Sequence, residues 1–209
     1  MPLDESNRWK GWCLAPLLLL AIQRLLEVHA SEQHVDALLR RGGREHALYQ
    51  YRAMTVLHAG WFVAIVAEAI GMHRRFRPRL AMLATPLFIL GQCLRYAAIR
   101  TLGERWTARV ITLPGAAPVT RGIYRYLRHP NYLGVVLEIA TVPLLYSAYW
   151  TALFFSLANA LLLRARVRAE EHALAMDNDY AFYTRRGRWF WVNGLRQAAL
   201  TSANDDAQR

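Results

Sequence analysis

Two short stretches of this chain concentrate residue types able to do chemistry. Between Leu113 and Gly134 it reads LPGAAPVTRGIYRYLRHPNYLG, a mixture of Gly, Pro, Arg, Tyr and His immediately before an apolar run. Thirty residues later comes RARVRAEEHAL, in which Arg166 and Glu170 stand four apart and share a helical face, while Glu171 points elsewhere. The two stretches bracket a pair of apolar runs. Folding those runs into a hairpin brings His129, Tyr132, Arg166 and Glu170 together at one membrane face. Such a pocket carries both signs of charge. A carboxylate there pairs with an ammonium group, an arginine with a carboxylate, and a tyrosine with a cation or an aromatic ring. A border loop followed by a charged helix explains the arginines, but it explains less well the paired glutamates and the Glu138 that lies between them.

Other ionisable residues fall inside apolar runs, where by default they face a bundle interior or a polar cavity. Arg24 and Glu27, three apart, are expected to pair within one helix and fix its packing. Glu68 and Arg95 are expected to do the same between helices. His58 reads as a packing residue. No HExxH, CxxC or second histidine at ligand spacing accompanies it, so no metal site is expected.

These residues need elements to hold them. The chain has 209 residues, 55% hydrophobic and 20% charged, which excludes disorder, and its two cysteines exclude a disulfide scaffold. The apolar residues come in blocks. Against the roughly 20 residues needed to cross a bilayer, five blocks qualify or nearly so: Trp12 to Ala30, Thr55 to Met72, Leu80 to Ile99, Tyr132 to Ser147, and the shorter Trp150 to Leu163. The last two are separated only by Ala148 and Tyr149, the pattern of a tight helical hairpin. The expected fold is all-α, a polytopic membrane bundle of about five spans with a C-terminal pocket at the cytoplasmic face. It forms a single domain over 1–209, with N-terminal spans in 1–100, a ligand-binding half in 101–196 and a disordered tail over 197–209. The first block loosely imitates a secretory signal, but Gln23, Arg24 and Glu27 interrupt it where a cleavage site would follow, so it is expected to stay.

The net charge of +11 is almost all arginine, because Lys10 is the single lysine. That bias suits a GC-rich bacterial genome, hence an inner membrane. With five spans, the first loop, the third loop and the C-terminal segment share a side, and that side holds 18 of the basic residues against six on the other. The positive-inside rule makes it cytoplasmic and places the N-terminus outside. Arginine blocks that border spans, with no nucleic-acid-binding motif beside them, argue against DNA or RNA as a partner.

RHPNYLG at Arg128 to Gly134, followed by a hairpin and RxxxEE at Arg166 to Glu171, resembles the isoprenylcysteine carboxyl methyltransferase family. The resemblance extends to LGERWTARVITLPG at Leu102 to Gly115, QRLLE at Gln23 to Glu27 and HAGWF at His58 to Phe62, and so covers most of the chain. It implies an integral-membrane methyltransferase using S-adenosylmethionine. The donor would be held near Ala116, Ala117, Pro118 and Val119 and by Tyr124, His129, Pro130, Asn131, Tyr132 and Glu170, with Arg166 at the acceptor group. One departure is RRGRWFWVNG at Arg185 to Gly194, where relatives carry a proline-containing segment.

The acceptor implied is a lipophilic molecule or lipid reaching the site sideways from the bilayer, of polyketide or prenyl type, methylated on a carboxylate or hydroxyl. A carboxylate needs only a cation to hold it. A phenol or enol wants a base, for which His129, Glu138 and Glu171 are candidates. Phospholipid N-methylation is a variant. Membrane sterol reductases, which use NADPH, carry a similar His-Pro motif, but the paired glutamates suit an ammonium better than phosphates. A transporter would show repeated halves, and none is visible.

Overall fold

The computed structural model describes residues 5–177, with side chains from Leu14 onward. Among the described residues are five α-helices: α1 (Glu5–Arg40), α2 (Leu48–Val66), α3 (Pro78–Leu102), α4 (Pro130–Leu145) and α5 (Tyr149–Asp177). Two three-residue strands, β1 (Arg44–His46) and β2 (Val110–Thr112), pair antiparallel with Glu45 opposite Ile111. The all-α bundle is as expected. Three segments, Leu14–Arg40, Leu48–Gly71 and Pro78–Arg105, are long and apolar enough to cross a membrane, and α4 is a shorter apolar helix. α5 runs further than its apolar block, continuing through the charged RARVRAEEH segment to Asp177. The expected tail over 197–209 and the RRGRWFWVNG segment lie outside the described residues.

The helix boundaries follow from local chemistry. α3 and α4 each open on a proline, whose fixed φ suits the first helical turn and whose missing N–H is no loss there. Inside α4, Pro143 has a different consequence. It cannot donate to the Ile139 carbonyl, and the indole Nε1 of Trp61 does so instead at 3.2 Å. That bond joins α2 to α4 through the core formed by Leu17, Leu20, Trp61, Ile65, Val135, Ile139 and Val142. Away from this core, Leu18, Leu19, Leu26, Val56, Val63, Met82, Leu83, Phe154, Leu157 and Leu161 are exposed. Helices apolar on their outer faces as well as inward suit lipid as their surroundings.

Glu68 does not pair with Arg95. It lies in a π-helical turn (Ala67–Gly71) that continues α2, and its carboxylate accepts from the backbone N–H groups of Trp150 and Thr151 at 3.2 and 2.7 Å and from the Thr151 hydroxyl at 2.8 Å. These N–H groups have no partner within α5, so Glu68 caps that helix while Arg74, 2.8 Å away, neutralises it. The α2–α3 loop and the α4–α5 turn therefore meet at one end of the bundle. At the other end β1, β2 and the last turn of α5 meet, so the first loop, the third loop and the end of α5 share a side. Asp177 accepts there from Thr112 Oγ1, from His46 Nε2 at 3.1 Å and from Arg44 at 2.9 Å. These partners, Thr112 foremost, hold its carboxyl below the usual range.

α3 and α4 touch through glycine. A Cβ on Gly134 would stand 2.5 Å from Cγ of Arg95 and 2.7 Å from the Gly91 carbonyl oxygen, distances no packed carbon tolerates. Gly134→Ala is accordingly expected to cost about 1–3 kcal/mol through forced separation of the two helices. Thermal unfolding in detergent checks this, and an unchanged midpoint would refute the close contact.

Candidate functional site

The first turn of α4 and the inner face of α5 build the site expected from the sequence. In α5 the residues turned inward include Asn159, Leu163, Arg166 and Val167, spaced three and four apart. One turn further, Glu170 meets Tyr132, whose hydroxyl donates to its carboxylate. The same hydroxyl accepts from Arg166 Nε at 2.9 Å, and Arg166 Nη2 donates to the Ala108 carbonyl. Two bonds thus fix the guanidinium, while its buried Nη1 has no hydrogen-bond partner among the described residues. The His129 ring stacks on Tyr132 at 5.5 Å between centroids.

Glu171 belongs to this cluster, contrary to the reading that it points elsewhere. His129 Nε2 lies 3.1 Å from its carboxylate and Arg128 Nη1 3.5 Å. Those contacts, the histidine bond first, hold the Glu171 carboxyl below its ordinary range. His129 occupies the N-cap position of α4 with φ −128° and ψ 60°, outside the helical region, and its ring reaches across to Glu171 of the neighbouring helix instead of capping its own.

A cavity of about 450 Å³ opens beside these groups. Tyr124, Arg128, His129, Asn131, Tyr132, Arg166 and Glu170 line its polar end, and Leu25, Val28, Met54, Ala59, Phe62 and Val135 line its apolar walls. Of the candidate donor-binding residues, Tyr124, His129, Asn131, Tyr132 and Glu170 are thereby brought together. Pro130 is buried but off the lining; the loop of Ala116, Ala117, Pro118 and Val119 is also off the lining, and none of its residues is buried. That loop is tied elsewhere: the Ala117 carbonyl accepts from Arg105 at 2.9 Å, and Gly115 N donates to the Asp177 carbonyl at 3.0 Å.

The N-terminal helices supply a wall that the spacing of the C-terminal motifs does not reveal. Arg24 and Glu27 pair as expected, but within a larger lattice. Glu138 grips Arg24 Nη2 with both oxygens at 2.8 and 2.7 Å and lies 3.3 Å from Arg95 Nε, while Glu27 binds both arginines. Arg24, Glu27 and Arg95 line the cavity, and Glu138 does not. Glu138 therefore stands as the shared anchor of two guanidiniums. Trp106, also on the lining, buries an indole N–H without a partner among the described residues. QRLLE and HAGWF were the sequence signals for this wall, since both resemble family segments.

Residues 82–176, most of α3 through α5, match the isoprenylcysteine carboxyl methyltransferase family. The uncharacterized protein YpbQ of Bacillus subtilis is 35% identical over 164 residues, 78% of this chain and 95% of that relative. An uncharacterized protein of Haemophilus influenzae is 26% identical over 75% of this chain and 91% of its own length. The chain belongs to the isoprenylcysteine carboxyl methyltransferase family, a family of integral-membrane methyltransferases.

Proposed function

We propose that this protein uses S-adenosylmethionine to methylate an oxygen of a lipophilic acceptor that reaches the cavity from the bilayer, with the site facing the cytoplasm of a bacterial inner membrane. The observation that carries the reading is the guanidinium of Arg166, clamped by Tyr132 and the Ala108 carbonyl with one buried nitrogen unpartnered, beside a carboxylate at the mouth of an apolar cavity. Asn131 Oδ1 and Trp106 Nε1 on the same lining have no partner among the described residues and fit a polar guest. Glu170 would hold the donor's ammonium, Arg128 and backbone amides its carboxylate, and Tyr124 its aromatic or cationic part.

The donor supplies a methyl group on a positively charged sulfur. The protein's contribution is orientation, which is worth roughly 7–11 kcal/mol when reacting atoms are well aligned. Tyr132 couples the two halves of the task, because one hydroxyl touches both Glu170 at the donor side and Arg166 at the acceptor side. His129, packed on Tyr132 and bonded to Glu171, keeps that ring in place.

Thermal-shift titration of the detergent-purified protein with S-adenosylhomocysteine and, separately, NADPH tests the reading. A ligand selective for the native state at a hundredfold excess over Kd adds ~2.7 kcal/mol. Stabilisation by S-adenosylhomocysteine alone is expected, and Glu170→Gln should weaken it by roughly tenfold or more, since a bond to a charged group is lost. Stabilisation by NADPH alone would make the site a reductase pocket.

A further inference from the structure

The charged groups around the cavity are paired, whereas several polar atoms on its lining are not. Glu27 and Glu138 neutralise Arg24 and Arg95, Glu171 faces Arg128, and Glu170 reaches Arg166 through Tyr132. Four guanidiniums thus meet four carboxylates, so these charges balance. Beside Arg166 Nη1, Trp106 Nε1 and Asn131 Oδ1, which have no partner among the described residues, the cavity holds one imidazole whose bonding is one-sided, that of His58 on α2. It lines the cavity, and its Nδ1 lies 2.7 Å from the Met54 carbonyl oxygen. A carbonyl has no hydrogen to give, so Nδ1 donates, and the neutral ring presents Nε2 as a bare lone pair. Nε2 has no hydrogen-bond partner among the described residues.

The candidate bases read from the sequence are engaged differently. Glu138 holds two guanidiniums, and Glu171 is held by His129 and Arg128. A lone pair facing a cavity discriminates by a simple rule: it attracts a hydroxyl hydrogen and repels a carboxylate, which has only lone pairs to offer.

We propose that His58 recognises the acceptor, its Nε2 receiving the hydrogen bond of the hydroxyl to be methylated, so that the protein takes phenol- or enol-like lipophiles in preference to fatty carboxylates. The proposal rests on the methyltransferase reading and narrows its acceptor. Held this way, the hydroxyl turns an oxygen lone pair towards the methyl group. The O–C bond forms from that pair, the S–C bond breaks with its electrons left on sulfur, and the proton follows its hydrogen bond to Nε2 and then to water. The charged and titratable groups facing the ring from its neighbours are Arg24 and Glu27 on α1, Arg95 on α3, Tyr132 on α4, and Arg166 and Glu170 on α5. Once methylated, the product can no longer donate to His58, and this favours its release.

The test uses the full chain in detergent, saturated with S-adenosylhomocysteine, at about pH 8 where an ordinary histidine is neutral. Calorimetric titrations compare 4-nonylphenol, its methyl ether 4-nonylanisole, and decanoate. The phenol is expected to bind about fivefold tighter than the ether, the worth of one hydrogen bond, and tighter than decanoate. In His58→Leu the phenol-to-ether ratio should fall to about one, with S-adenosylhomocysteine affinity unchanged; His58→Met repeats the measurement should the leucine variant fold poorly. Equal binding of phenol and ether by the unsubstituted protein, a ratio that survives both substitutions, or preference for decanoate would overturn the proposal. Failure to bind S-adenosylhomocysteine at all would instead overturn the methyltransferase reading beneath it.

Discussion

Glu138→Leu should cost the protein about 3–5 kcal/mol of stability, the penalty for stranding buried charge by removing its partner. Glu138 is 4% exposed and bonds Arg24 twice, with Arg95 3.3 Å away. Without it, two guanidiniums on α1 and α3 share only Glu27, inside helices with few other polar groups to turn to. The loss should appear as a lowered unfolding midpoint in detergent. Glu138→Gln, which keeps two polar atoms in place, should cost less. The double variant Arg24→Leu/Glu138→Leu should recover part of the loss, because removing both partners strands less charge than removing one. A Glu138→Leu protein as stable as its parent would show that the lattice contributes nothing to the bundle.

Arg166→Ala has the largest expected effect on turnover. A group that orients the acceptor is worth roughly 10² in rate, because misplacing a reacting atom by about 1 Å costs that much. Arg166 is held for such a role by Tyr132 and the Ala108 carbonyl, with Nη1 unpartnered. Methyl transfer should fall by about that factor while S-adenosylhomocysteine binding stays nearly constant. Arg166→Lys retains the charge but loses the planar fork that makes both anchoring bonds, so it should recover only part of the rate. Equal losses in turnover and in donor binding would remove Arg166 from the acceptor side.

What the sequence reveals here tracks how local each signal is. The meeting of His129, Tyr132, Arg166 and Glu170 follows from helical period and one short turn, and it was legible. The pairing of Arg95 was not, because period tells which residues share a face but not which helix that face meets. Gly91 and Gly134 bring α3 against α4, and this delivers Arg95 to Glu138 and leaves Glu68 to cap α5. Glu171 was misread for a related reason: the face rule applies to α5 alone, whereas His129 reaches over from the capping position of α4. α5 outran its apolar block because its backbone hydrogen bonds continue unbroken through the charged segment to Asp177. The strands β1 and β2, three residues each, are too short to leave a period at all. His58 read as packing, and its Nδ1 is indeed satisfied; the open Nε2 depends on the cavity, which no local pattern encodes.

The ionic lattice also constrains how the chain is made. Arg24 and Glu138 are separated by 114 positions, and Arg44 and Asp177 by 133. During synthesis α1 enters the bilayer with only Glu27 to balance Arg24, and Arg95 waits on α3 until α4 arrives with its carboxylate. The early helices are thus inserted in debt of charge, and the last two settle it. Completion of the bundle and completion of the pocket are the same event, so a ribosome that stalls before α4 leaves neither.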